Sequence, residues 1–128
     1  MDIRVLVVDD HPLVRTALTE ALSDEDGLTV VGECADGSEV VDAAVELRPD
    51  VVCMDMSMRA MSGLEATKAL RAARVDVRVV VLTAESPERA AVAAVGADAL
   101  VPKSARSGPL LDCLRAVAVG AAGCPYCL

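Results

Sequence analysis

The feature that most limits what this chain can fold into is a set of short apolar runs that each lead into polar side chains. The runs are rich in Val and Leu and are too short to be ordinary helices. Such continuous runs predict strands that are buried on both faces, as in a parallel sheet covered by helices. The runs and the residues after them are Val5–Val8 before Asp9 and Asp10, Val51–Met54 before Asp55, Val79–Leu82 before Thr83, and Ala99–Val101 before Pro102 and Lys103.

Helical periodicity alternates with these runs along the chain. A further strand is predicted over Leu28–Cys34, between the first two helices. The order βα, repeated five times, predicts a single α/β domain with a doubly wound five-stranded parallel sheet and helices on both faces. We expect the flavodoxin-like strand order 2-1-3-4-5. The predicted helices start near Pro12, Val40, Ser62, Ser86 and Pro109.

Length and composition favour one soluble domain. The 128 residues predict a domain over residues 1–120 and a poorly ordered C-terminal tail over 121–128. Hydrophobic residues make up 54%, but no run approaches the ~18 residues that a membrane helix needs. No signal peptide is recognisable, so we expect a cytoplasmic protein without membrane contact. A net charge of −8 and a single aromatic residue, Tyr126, argue against direct contact with nucleic acid.

The polar residues that follow the strands predict a metal site. Ligands bind at the carboxyl ends of strands in such sheets, so Asp9, Asp10 and Asp55 should lie close together. Two carboxylates ~4 Å apart repel by about 4 kcal/mol at an effective dielectric of 20, so the cluster needs a cation. Oxygen ligands without His or Cys favour Mg²⁺, with Mn²⁺ as a substitute. Lys103 can reach the cluster with its long side chain.

This cluster can support phosphoryl transfer. With Mg²⁺ bound, a carboxylate can attack a phosphoryl group and form an aspartyl phosphate. Lys103 would neutralise the phosphoryl oxygens, and the Thr83 hydroxyl would donate a hydrogen bond to one of them. Little more is required, because phosphoryl transfer depends mainly on positioning and electrostatics.

These residues resemble the receiver domain of two-component response regulators over about residues 2–119. The opening Val5–His11, followed by Pro12–Arg15, is similar to the NarL/FixJ (LuxR-type) subfamily. The resemblance implies that Asp55 is the phosphoacceptor, Thr83 the switch hydroxyl and Lys103 the phosphate-sensing lysine. The implied metal ligands are the carboxylates of Asp9, Asp10 and Asp55 and the backbone carbonyl of Ser57.

The resemblance also implies a partner and an output. The phosphoryl donor would be a histidine kinase, and the chain would be a switch rather than a conventional turnover enzyme. Phosphorylation would rearrange the face made by helix 4, strand 5 and helix 5. The apolar stretch Ala90–Val95 is either an alanine-rich helix with a harmless outer face or part of a surface for a weak or phosphorylation-dependent homodimer, and we predict the homodimer. Members of the subfamily usually control transcription through a DNA-binding domain that this sequence lacks, and whether it is a fragment or acts alone stays open.

Other functions remain as alternatives. A pseudo-receiver, which binds a protein or small ligand without phosphorylation, is favoured by Arg59 and Leu100, where the family usually has proline and an aromatic residue. A dehalogenase-type phosphatase is disfavoured because neither acidic motif reads Asp-x-Asp, and a flavodoxin because carboxylates occupy its phosphate loop. We expect His11 to be a turn residue. The glutaredoxin-like motif Cys124–Cys127 is interpreted as a chance match, and the five cysteines as reduced thiols.

Overall fold

A five-stranded, all-parallel sheet in the order β2-β1-β3-β4-β5 forms the centre of the molecule. The structure is a computed structural model that describes residues 2–84, 89–103, 107–120 and 126–128. The strands are β1 (Ile3–Val8), β2 (Leu28–Cys34), β3 (Val51–Asp55), β4 (Arg78–Thr83) and β5 (Ala99–Pro102). The helices are α1 (Pro12–Ser23), α2 (Val40–Leu47), α3 (Gly63–Ala72), α4 (Arg89–Ala94) and α5 (Ser107–Ala118), with a 3₁₀ turn at Gly37–Glu39. The predicted fold class and strand order are confirmed.

Each face of the sheet has its own apolar core. Successive side chains of a strand point to opposite faces. In β1, Leu6 and Val8 therefore join the core beneath α2, α3 and α4, whereas Val5 and Val7 join the core beneath α1 and α5. All four of these side chains are at most 1% exposed. Burial on both faces explains why the strands read as continuous apolar runs in the sequence.

The starts of α1 and α3 follow local capping chemistry. The His11 ring accepts a hydrogen bond from the Val14 N–H at 3.4 Å, so the expected turn residue is the N-cap of α1. Ser62 caps α3 through the Glu65 N–H at 3.1 Å, as its spacing predicts. The predicted start of helix 4 at Ser86 and Pro87 lies outside the described residues.

An arginine clamp holds the amino-terminal ends of β4 and β5 against α3. The Arg71 guanidinium donates to the carbonyl of Gly96 at 3.0 Å, to that of Val77 at 2.6 Å and to the Asp98 carboxylate at 3.1 Å. Asp98 also accepts the Val79 N–H at 2.8 Å. One planar side chain therefore satisfies backbone groups from several segments.

We expect Arg71→Ala to lower the free energy of unfolding by about 2 kcal/mol, because charged and carbonyl acceptors lose their donor together. Urea denaturation measures this, with Lys68→Ala on the exposed side of α3 as the control. Equal midpoints for the two variants would show that the clamp contributes no net stability.

The last residues of the chain lie against the sheet. Tyr126–Leu128 pair with the outer edge of β5, with Cys127 opposite Ala99. This differs from the expected poorly ordered tail for these three residues. The reason is that an edge strand offers unpaired backbone groups to a neighbouring segment. Within the described parts of the chain, no helix is both long and apolar enough to cross a bilayer.

Candidate metal and phosphoryl site

Strand register brings the predicted site residues to one edge of the sheet. Val8 pairs with Met54, so the next residues, Asp9 and Asp55, come at the same level of the sheet. On β4, Thr83 pairs with Pro102, directly before Lys103. The Lys103 N–H donates to the Thr83 carbonyl at 2.6 Å, which continues the β4–β5 pairing beyond the strand. Residues distant in sequence therefore meet because parallel strands end together.

The carboxylates of Asp9, Asp10 and Asp55 form a compact acidic cluster. One oxygen from each lies within 4.8 Å of the others. Asp9 and Asp55 are buried, at 1% and 4% exposure, whereas Asp10 is half-buried. Because three negative charges at this spacing repel strongly in a partly buried site, the cluster favours binding of a cation.

An unsatisfied oxygen points to the same conclusion. Asp9 Oδ1 accepts the His11 N–H at 2.9 Å, but the buried Asp9 Oδ2 has no hydrogen-bond partner among the described residues. Its nearest positive charge is Lys103 Nζ at 3.7 Å, which is an ion-pair distance and too long for a hydrogen bond. A buried carboxylate oxygen without a hydrogen bond is costly, so the cluster fits a hard cation that takes oxygen ligands.

Lys103 places a positive charge beside the two buried carboxylates of the cluster. Its Nζ lies 2.8 Å from Asp55 Oδ1, and about a third of its side chain (32%) is exposed. Burial alone would lower the pKa of Lys103, but the hydrogen bond and charge attraction from Asp55, followed by the charge attraction from Asp9, outweigh it and raise the pKa. The ammonium group therefore stays charged beside the phosphoacceptor candidate at physiological pH.

Thr83, Ser57 and Leu100, the other residues singled out in the sequence, lie on three different segments around this edge of the sheet. Thr83 is buried at the end of β4, with 5% exposure, next to the strand that carries Lys103. Ser57 is exposed in the loop after β3, two residues beyond Asp55. Leu100, which stands where an aromatic residue is usual, is buried in the core on the α4 side of the sheet.

Arg59 is a contact that the sequence did not predict. Its N–H donates to Asp10 Oδ2 at 3.1 Å, and its Nε lies 3.5 Å from the same oxygen. The Arg59 side chain is 92% exposed. The sequence marked Arg59 only as a departure from the family pattern, because nothing local indicates that the β3–α3 loop folds back over Asp10.

Gly63 is a second residue whose role at the site was not predicted from the sequence. A Cβ at this position would lie 2.5 Å from the Asp55 carbonyl oxygen and 2.9 Å from Met56 Cα. The Gly63 N–H also donates to the Met56 carbonyl at 2.8 Å. The first turn of α3 therefore packs directly on the backbone of the phosphoacceptor candidate. A glycine directly after a cap was the available signal, but it is too common to be decisive.

Fold and site together define a class: a doubly wound parallel α/β domain with an acidic cluster and a lysine at the carboxyl edge of its sheet. A family profile described as the response regulator receiver domain matches residues 5–115. The chain belongs to this family, and its relatives include LuxR-type regulators, as the opening motif indicated.

Three relatives illustrate the similarity. Response regulator GacA of Pseudomonas viridiflava is 44% identical over 120 residues, which cover 92% of this chain and 56% of GacA. A LuxR-family two-component response regulator from Aurantimonas sp. SI85-9A1 superimposes with a TM-score of 0.90 at 30% identity, over 98% of this chain and 91% of that one. The signal receiver domain of NarL from Mycobacterium tuberculosis gives a TM-score of 0.80 at 30% identity, over 89% and 97%. The chain spans about half the length of the curated relatives it matches.

Proposed function

We propose that this chain is a phosphoryl-accepting switch in which a histidine kinase phosphorylates Asp55 in a Mg²⁺-dependent reaction. The main support for this proposal is that Lys103 Nζ lies 2.8 Å from Asp55 Oδ1. Both groups belong to a cluster in which one carboxylate oxygen from each of Asp9, Asp10 and Asp55 lies within 4.8 Å of the others. This arrangement combines a nucleophile, a fixed positive charge and oxygen ligands for a cation. Those are the parts that phosphoryl transfer requires.

The proposed reaction is a displacement at phosphorus. A carboxylate oxygen of Asp55 attacks, the bond from phosphorus to the kinase histidine nitrogen breaks, and the imidazole leaves with that electron pair. Lys103 then moves its ion pair from the carboxylate to the phosphoryl oxygens, and the Thr83 hydroxyl donates a hydrogen bond to another of them. Hydrolysis of the acyl phosphate would be slow, so the protein is a switch and not a conventional enzyme.

Mg²⁺ is the proposed cofactor, and Mn²⁺ would substitute for it. The residues that would hold the ion are Asp9, Asp10 and Asp55, with the backbone carbonyl of Ser57. Support comes from the orphaned Asp9 Oδ2 and from an all-oxygen donor set. When bound, the ion supplies positive charge that offsets the negative charge of the cluster and of the incoming phosphoryl group.

The proposed output is a change in the face formed by α4, β5 and α5. That face would bind partners, including a second copy of the chain, and would control transcription through a DNA-binding domain outside this sequence. We further propose that the receiver domain covers residues 1–120, that it works in the cytoplasm, and that it makes no direct contact with nucleic acid. The net charge of −8 supports the last point, because phosphate contacts need a basic surface.

The test is chemical labelling with acetyl phosphate and Mg²⁺, followed by intact-mass measurement. We expect one phosphoryl adduct on the unmodified chain, none after EDTA treatment and none on Asp55→Asn. Asp76→Asn, which changes an exposed carboxylate before β4 at the opposite edge of the sheet, is the matched control and should label normally. An adduct that persists on Asp55→Asn, or no adduct with any divalent ion, would contradict the proposal.

A pseudo-receiver is the second candidate, favoured by the contact of Arg59 with Asp10. In that reading the arginine replaces the cation and no phosphorylation occurs. The Arg59 side chain is 92% exposed, however, and exposed ion pairs contribute only about 0–1 kcal/mol. Mg²⁺ can therefore displace it at little cost. Failure of labelling for the unmodified chain, together with labelling of Arg59→Ala, would favour the pseudo-receiver.

A further inference from the structure

The C-terminal residues Tyr126–Leu128 lie along the outer edge of β5 and are joined to it by one isolated bridge. The pairing is antiparallel, with Cys127 opposite Ala99, in contrast to the parallel pairing everywhere else in the described sheet. Two backbone hydrogen bonds flank this pair. They join the Leu100 N–H to the Tyr126 carbonyl at 3.0 Å and the Leu128 N–H to the Asp98 carbonyl at 2.9 Å.

Side chains reinforce this docking. The Arg89 guanidinium, on the first residue of α4, donates to the Cys127 carbonyl at 2.8 Å. Tyr126 and Cys127 are half-buried and pack against the core shared by β5 and α5. The segment therefore contacts α4, β5 and the apolar core beside α5. It covers the face through which receiver output is proposed to pass.

The β5 edge is self-complementary. Ala99 is flanked by the Leu100 N–H on one side and the Asp98 carbonyl on the other, and both point to the edge that the tail now occupies. A second β5, turned antiparallel, would place its own Ala99 where Cys127 lies. The same two hydrogen bonds would then form, donor to acceptor in both directions. The tail and a second copy therefore need the same backbone groups and cannot both have them.

The surroundings of this edge suit a second copy as well. In α4, Val92 is buried, whereas alanines on its other sides are exposed and offer a small apolar surface. The exposed alanines are Ala90, Ala91, Ala93 and Ala94. An open strand edge beside apolar surface is a template for pairing with another chain, and native proteins commonly cover such edges.

We propose that Tyr126–Leu128 is a built-in guard strand, which keeps the β5 edge closed until its release lets a second copy pair there. Docking and self-association are competing equilibria for one edge. The guard strand works whether or not Asp55 is phosphorylated, so the proposal does not depend on the proposed phosphoryl chemistry.

Docking of the guard strand can be followed in the full chain by its own fluorescence. Tyr126 is the only aromatic residue of the chain, so intrinsic fluorescence reports on this segment without background. We expect iodide to quench Tyr126 weakly in the unmodified chain and more strongly in Arg89→Ala, which loses the hydrogen bond to Cys127. One such bond to a charged donor corresponds to about a tenfold shift in the docking equilibrium. Lys68→Ala, a change to an exposed cation on α3, should leave quenching unchanged.

Hydrogen exchange at the Leu100 amide tests the pairing itself. This amide should exchange slowly in the unmodified chain and about tenfold faster in Arg89→Ala at low protein concentration, where no second copy replaces the tail. Fast exchange in the unmodified chain, or free quenching of Tyr126, would overturn the proposal.

Self-association is then measured by sedimentation without any phosphodonor, at physiological salt so that the −8 charge on each copy is screened. We expect the unmodified chain to stay monomeric at concentrations where Arg89→Ala and a variant ending at Gly120 form dimers. In those dimers the Leu100 amide should regain its protection. Circular dichroism checks that the shortened variant is folded, and Arg89→Ala carries the test if it is not. If all three proteins stay monomeric, the proposed competition between the tail and a second copy is wrong, even if Asp55 is labelled as proposed.

Discussion

Gly63→Ala is expected to lower the free energy of unfolding by about 3 kcal/mol, the largest stability loss among the variants considered for this protein. The added Cβ would meet the Asp55 carbonyl oxygen at 2.5 Å and Met56 Cα at 2.9 Å. Both are backbone atoms, so no side chain can rotate away to relieve the contact. Either α3 or the end of β3 has to move.

The displacement should also reach the site. The backbone of Asp55 is pressed directly, so its carboxylate would shift relative to Lys103 and the acidic pair on β1. Positioning governs phosphoryl transfer, and we therefore expect labelling by acetyl phosphate to slow by about tenfold or more. Urea denaturation and the rate of adduct formation measure the two effects separately.

Gly108→Ala is the matched control for this substitution. Gly108 lies in α5, and apart from its chain neighbours and the nearby backbone of its own helix, no described atom lies within 4 Å of a Cβ built there. Alanine is the better helix former, but the ring of Pro109 restricts a Cβ on the preceding residue, so we expect an effect near zero. If Gly63→Ala is as well tolerated as Gly108→Ala, the tight packing of α3 on the backbone of Asp55 and Met56 does not exist in solution.

Lys103→Met should lower stability by about 2 kcal/mol in EDTA, because the buried carboxylates of Asp55 and Asp9 lose their ammonium partner. The figure is smaller than for a fully buried pair, since about a third of the Lys103 side chain (32%) is exposed and solvent screens its charge. Met keeps most of the length and apolar surface of the lysine stem. The charge is therefore the main difference between the two proteins.

Mg²⁺ should reverse much of this loss. A divalent ion in the acidic cluster supplies the missing positive charge, so it should stabilise Lys103→Met more than the unmodified chain. Thermal melts in EDTA and in Mg²⁺ measure how much the ion stabilises Lys103→Met and how much it stabilises the unmodified chain. Lys68→Met, a change to an exposed lysine, should show the same response to Mg²⁺ as the unmodified chain. Equal responses for Lys103→Met and Lys68→Met would mean that the lysine and the ion do not share these carboxylates.

The strands and the polar residues that follow them could be predicted because each depends on local pattern, whereas the strand order was taken from the flavodoxin-like arrangement. Both faces of the sheet are covered, so Val5–Val8 and Val79–Leu82 had to be apolar at every position. Parallel strands end at a common edge, so Asp9, Asp55 and Lys103 had to converge once the strand order was assumed. The helix cap at Ser62 could also be predicted, because it depends only on the spacing between Ser62 and Glu65.

The contacts that escaped prediction join segments with no shared local signal. Arg59 meets Asp10 across 49 positions, and Arg71 meets Asp98 across 27. Which arginine contacts which carboxylate depends on the path of the chain between them, and no periodicity encodes that path. The docking of Tyr126–Leu128 is similar, because any short extended segment can pair with an open edge through its backbone alone.

The amino-acid sequence by itself determined the α/β architecture and the set of side chains at its carboxyl edge, since burial and alternation of short elements leave few other arrangements. Only the tertiary structure decided what touches those side chains: the lysine on Asp55, the orphaned oxygen of Asp9, the backbone pressed by Gly63 and the strand that closes β5. The physical reason is the distance over which each effect acts. Hydrophobic patterning acts residue by residue along the chain, whereas hydrogen bonds and close packing exist only between atoms that the completed fold has brought within a few ångströms.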